Sequence, residues 1–95
     1  MTNEQEGTIR GKIVARVLEM SERGARLALG TPLELGTIHD FALEIDRQSV
    51  WVQGEVRHVQ AAPQTGRYEV GVEFVGVTPH DLDLLRAYLE RTRGR

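Results

Sequence analysis

From Ile9 onward, apolar side chains recur at alternate positions. Ile9, Ile13, Ala15 and Val17 share one parity, and Arg10, Lys12, Val14, Arg16 and Leu18 share the other. This is the pattern of a β-strand with one face on a core. A polar run, Glu19-Met20-Ser21-Glu22-Arg23-Gly24, then reads as a tight turn ending in glycine. Ala25, Leu27 and Leu29 resume the alternation with Arg26 opposite. Gly30-Thr31-Pro32 and Gly36 are breakers, so Leu33–Leu35 is read as a connector. Phe41, Leu43 and Ile45 alternate with Asp40, Ala42 and Glu44, and Asp46-Arg47-Gln48-Ser49 reads as a hairpin turn. Val50, Val52 and Val56 alternate with Trp51, Gln53, Glu55 and Arg57. Ala61–Arg67, with Pro63 and Gly66, reads as a loop before a last strand of Val70, Val72 and Phe74, with Glu69 and Glu73 outward.

The period then changes. Thr78 is a helix-capping residue, Pro79 takes the first helical position and Asp81 lies in the first turn. Leu82, Leu85 and Leu89 follow at helical spacing, Leu84 and Tyr88 widen the apolar face, and Arg91 and Arg93 suit the C-terminal end of the dipole. These elements predict an all-β domain with one C-terminal helix: a small antiparallel barrel of about six strands, with the helix at about residues 79–93. Residues 8–95 form a single domain in this reading, and residues 1–7 a disordered tail with nothing to bury.

Composition narrows the chemistry. A chain of 95 residues supports one core. The net charge of -2 gives no general attraction to nucleic acid or anionic lipid, so an anion site has to be a local patch. The absence of cysteine excludes disulfides and thiolate metal sites. No segment approaches the roughly 18 apolar residues of a membrane span. Met1–Gly7 is polar and acidic, unlike a secretion signal, and the expected location is cytoplasmic.

The turn carries the most specific signal. A serine three residues before a turn glycine presents a hydroxyl beside free backbone N–H groups, which either receive a ligand or satisfy the turn itself. The spacing acid-x-Ser-x-x-Gly at Glu19, Ser21 and Gly24 resembles the ligand turn of the PilZ domain, a bacterial module that reads cyclic di-GMP. Val52-Gln53-Gly54-Glu55-Val56, followed by Tyr68-Glu69-Val70-Gly71-Val72-Glu73-Phe74, is similar to that family's G-x-V and G-V-x-F strand pair. The terminal helix resembles the family's short closing helix, and the likeness spans roughly residues 8–92. It implies a PilZ-like barrel and a signalling role.

Two motifs bind the ligand in that family: the turn, [D/N]-x-S-x-x-G, and an upstream R-x-x-x-R. The turn carries over to Glu19, Ser21 and Gly24, with Glu where the family has Asp or Asn. The arginine motif has no counterpart ahead of the turn. Arg10 is followed four residues on by Val14, Lys12 and Arg16 lie within the strand leading into the turn, and Met1–Gly7 has no basic side chain. The usual arginine segment is therefore expected to be truncated or lost. Guanidinium forks suit both phosphates and guanine edges. Losing two of them costs about 3–6 kcal/mol, two to four decades of affinity. Arg10, Lys12 and Arg16 share an outward face and, with Arg23, form either a substitute phosphate patch or a solvated wall that discourages edge pairing.

The remaining residues suggest no catalysis. His39, His58 and His80 lack metal-ligand spacing. His39 shares parity with Phe41, and His58 with Val56, which points to partial burial or a strand-end role rather than catalysis. Ser21 and Ser49 lie in no nucleophile elbow, and the glycines form no phosphate loop. Trp51 points outward by parity and either anchors a protein partner or lies under the terminal helix against Leu85 or Leu89. Gly7 to Leu29 also resembles the opening of an OB-fold RNA-binding repeat, although an acidic chain with five aromatic residues lacks the basic, aromatic groove of that module.

The expected function is a non-enzymatic, PilZ-type signalling module that binds cyclic di-GMP or derives from a receptor that did, and acts by regulating a protein partner. No cofactor or metal is expected. The candidate ligand residues are Ser21, Gly24, Glu19, Arg23, Arg10, Lys12 and Arg16, and the candidate partner residue is Trp51. The alternatives are a nucleotide-independent adaptor of the same fold and, more distantly, an OB-like RNA-binding domain.

Overall fold

A computed structural model describes residues 8–9 and 12–93 of the chain. The tail expected over residues 1–7 lies outside the described residues. The strands are β1 (Thr8–Ile9), β2 (Lys12–Met20), β3 (Gly24–Leu29), β4 (Ile38–Ile45), β5 (Gln48–Ala62) and β6 (Arg67–Val77), followed by helix α1 (Pro79–Arg93).

Five of the strands close into a barrel in the order β2-β3-β6-β5-β4 and back to β2, while the two-residue β1 adds to β2 outside the ring. Closure is parallel: Ile13 pairs with Phe41 and Arg16 with Glu44. The remaining pairs are antiparallel. The expected antiparallel barrel of about six strands is thus a five-stranded ring with one parallel seam. The connector over residues 30–37 brings β4 round beside β2. It is anchored on β5, where the Gly36 N–H donates to the Val56 carbonyl and the Val56 N–H donates to the Thr37 carbonyl.

The inward parity fills the ring. Ala15, Leu27, Leu29, Phe41, Leu43, Ile45, Val50, Val52, Val56, Val70 and Val72 are all buried, as their alternation requires. Gly54 shares this inward face and leaves room for the Phe41 ring: a β-carbon there would lie 3.3 Å from Phe41 Cε2. His39 is half-buried, edge-on to Phe41 with ring centroids 6.0 Å apart, and its Nε2 is 2.8 Å from the Thr37 hydroxyl. Ala28 and Ala42 are also buried although they face outward, because larger cross-strand neighbours shield them.

Helix α1 brings Leu85 and Leu89 into this core, with Leu82, Leu84 and Tyr88 packed against it. Thr78 caps the helix. Its Oγ1 accepts from the Asp81 N–H at 3.3 Å and donates to Asp81 Oδ2 at 2.7 Å, and its carbonyl accepts the Leu82 N–H. Asp81 Oδ1 also accepts the Trp51 backbone N–H at 3.3 Å, which ties the helix start to β5.

Three local features depart from the sequence expectation. β5 and β6 extend to Ala62 and Arg67, so the loop expected over Ala61–Arg67 shrinks to a turn at residues 63–66. A register shift between Val56 and His58 turns His58 outward, where it is exposed. A second shift, between Val17 and Glu19, puts Leu18 and Glu19 both outward and returns Met20 to the core side. A bulge adds one residue to one strand only, so parity inverts beyond it.

Candidate ligand turn

The hairpin β2–β3 ends in the turn at Ser21, Glu22 and Arg23. The Ser21 N–H donates to the Gly24 carbonyl at 2.9 Å. The Ser21 hydroxyl accepts the Arg23 N–H at 3.1 Å and reaches the Gly24 carbonyl at 3.5 Å. The serine side chain is therefore engaged in shaping its own turn. On the far side, the Arg23 carbonyl accepts the Phe74 N–H at 2.8 Å, fastening the turn to β6. Gly24 lies so near β6 that a β-carbon on it would meet the Val72 carbonyl oxygen.

Glu19 is the acid of the motif, and it is occupied. Its Oε1 accepts from Arg26 Nε at 3.2 Å and Nη2 at 3.1 Å, while Arg26 Nη1 donates to Glu69 Oε1 at 2.9 Å. The three side chains form a bridge across β2, β3 and β6. The hydrogen bond to Glu19, and then that to Glu69, raise the Arg26 pKa above its ordinary value. Arg26 and Glu69 were not among the residues singled out from the sequence. Their outward parity was legible there, but the register that sets Glu19, Arg26 and Glu69 side by side was not. A further ion pair, Arg86 Nε to Glu22 Oε2 at 3.6 Å, links the turn to α1.

A depression of about 340 Å³ at the turn is lined by Glu19, Met20, Ser21, Gly24, Ala25 and Arg26. The other basic candidates lie elsewhere. Lys12 sits over the Trp51 ring, 4.3 Å from its centroid, in a second depression of about 380 Å³. Arg16 lines a third, of about 230 Å³, with Leu18, Tyr68 and Glu69. Arg10 lies outside the described residues. The structure thus keeps Glu19, Ser21 and Gly24 together but does not gather Lys12, Arg16 and Arg23 into the same depression. Trp51 points outward from β5 and is 38% exposed, on the barrel wall with Lys12. Among the described residues no group of His, Asp and Glu is placed to hold a metal ion, and no helix is long and apolar enough to cross a membrane.

Compared with known proteins, the chain matches the family model described as PilZ domain over residues 2–91. No curated protein and no solved structure matches it.

Proposed function

Because the chain belongs to the PilZ domain family, we propose that it is a signalling module descended from a cyclic di-GMP receptor and that it acts by regulating a protein partner in the bacterial cytoplasm. One observation carries this reading: the groups the family uses for ligand are spent inside the protein. Arg26 holds Glu19, and the Ser21 hydroxyl is bonded within its own turn. A ligand has to break a charged hydrogen-bonded pair before the turn can receive it, and residues 1–18 contain no R-x-x-x-R to supply compensating contacts. The turn is a structural element here, and the domain works as an adaptor without catalysis.

Calorimetric titration with cyclic di-GMP at low salt tests this. No binding heat and no shift in melting temperature at 1 mM ligand are expected. A dissociation constant near 0.1 mM would give about 1.4 kcal/mol of stabilisation at that concentration, several degrees of melting temperature, and would overturn the reading.

A second reading, direct recognition of cyclic di-GMP, is favoured by Arg16 and Arg23. Neither guanidinium has a hydrogen bond or ion pair among the described residues. It requires that Ser21→Ala and Arg16→Ala weaken the titration.

A further inference from the structure

The sheet register places a second, chemically distinct surface on the outer wall of β4, β5 and β6. Trp51, Gln53 and Glu55 alternate outward on β5. Asp40 pairs with Gln53, Ile38 with Glu55, and Glu55 with Glu73, so these side chains share one face. Ile38 is 54% exposed and Val75 48%, large values for apolar residues, and Val75 is the extra residue between Gly54↔Phe74 and Gln53↔Gly76. The face carries Asp40, Glu55, Glu73 and Asp81 against Lys12 and Arg57, an acidic excess. Arg57 is committed to Glu73 at 2.6 Å.

At one end lies the groove of about 380 Å³, with Val52 and Val77 in its lining and Asp40, Trp51, Gln53 and Asp81 around them. Asp81 is occupied by Thr78 and the Trp51 N–H. Asp40 is exposed and its carboxylate has no hydrogen bond or ion pair among the described residues. The protein's own Lys12 shows that the Trp51 ring receives a cation in this groove.

We propose that this wall engages the protein partner, and that it takes a segment bearing basic and apolar side chains, one basic group entering the groove between Trp51 and Asp40. The proposal rests on the partner-regulating reading above and names the chemistry of that partner. An indole beside an unpaired carboxylate suits a guanidinium, which stacks on one and bonds the other. Ile38 and Val75 supply flanking apolar contacts. Charge complementarity selects a basic segment over an acidic one.

Trp51 is the chain's sole tryptophan, so its fluorescence reports the groove directly. The probes are a short synthetic peptide alternating arginine with leucine and its counterpart with glutamate for arginine. The arginine peptide is expected to shift Trp51 emission saturably and the glutamate peptide to leave it unchanged. Asp40→Asn weakens binding about threefold or more, Lys12→Ala strengthens it by removing the resident cation, and Glu90→Gln, on the exposed face of α1, leaves it unaltered. Equal responses to both peptides, or unchanged affinity in Asp40→Asn, overturn the proposal. A photo-crosslinking residue at position 38, and separately at position 87 on the helix, separates this failure from that of the underlying reading. In cells, cross-links to one protein from position 38 that vanish with Asp40→Asn support the wall. Cross-links from 87 alone overturn the wall and leave the signalling role standing, and none from either position overturns both.

Discussion

A β-carbon at Gly24 would lie 2.2 Å from the carbonyl oxygen of Val72. The obstacle is backbone in a paired strand, with Gly24 opposite Glu73 and Ala25 opposite Val72, and cannot swing aside as a flexible side chain does. The family's turn glycine is thus required here for close approach between β3 and β6, whatever the turn binds. Gly24→Ala is expected to cost about 2–3 kcal/mol, seen as a drop of roughly 10 °C or more in melting temperature. An unchanged melting temperature refutes the packing argument.

The β4–β5 hairpin turns on two residues with positive φ, Asp46 at 49° and Arg47 at 67°. This is the left-handed pair of a type I′ turn, where glycine is favoured at the second position. A side chain in that region costs about 1–2 kcal/mol, partly offset by the greater freedom glycine has when unfolded. Arg47→Gly should therefore stabilise the protein by about 0.5–1 kcal/mol, read by chemical denaturation. Asp46 is the wrong residue to replace, because its carboxylate accepts from Arg91 of the helix.

Leu85 is wholly buried at the junction of helix and barrel. Truncating it leaves a cavity where α1 meets the barrel core. Leu85→Ala is expected to destabilise by about 2–5 kcal/mol, while Arg86→Ala, one residue on and exposed, stays within about 1 kcal/mol. Similar losses for the two would show that the helix does not complete the core.

Thr78 and Asp81 cap the helix reciprocally, and Asp81 also holds the Trp51 N–H. Thr78→Ala should cost about 1 kcal/mol. Asp81→Ala removes the cap partner and also the acceptor of the β5 N–H, so it should cost more than Thr78→Ala. The two losses should fall short of additive in the double variant, because they share the same bonds.

Much of this architecture was legible because strand parity is a local property. Ala15, Leu27, Phe41, Leu43, Val52 and Val70 are inward in the sequence pattern and buried in the structure. What escaped is relational. Parity does not encode strand direction, so the parallel β2–β4 seam could not be read from Ile13 and Phe41. The bulge at Leu18 depends on how Glu19 meets Arg26, and the one before His58 on how β5 meets Gly71. Ala61 and Ala62 lack the branched side chains that mark a strand, and they pair with Tyr68 and Arg67 all the same. At the turn, Glu19, Ser21 and Gly24 were visible as a motif, but the partner that occupies Glu19 comes from the opposite strand.

The two long-range seams of the ring have a kinetic consequence. β4, β5 and β6 follow one another as a meander, and β2 and β3 form a separate hairpin. That hairpin joins the meander through both of its edges, β3 on β6 and β2 on β4. It therefore acts as a clasp: neither seam gains full support until the other has formed, and both bear the loop-closure entropy of distant partners. Folding should place ring closure late, in the slow range of non-local β topologies. The tip of the clasp is the Ser21–Gly24 turn, whose bond to Phe74 exists only once β3 has paired with β6. That anchorage, unlike the turn's own local bonds, is consequently among the last contacts the chain acquires and the first it loses on opening.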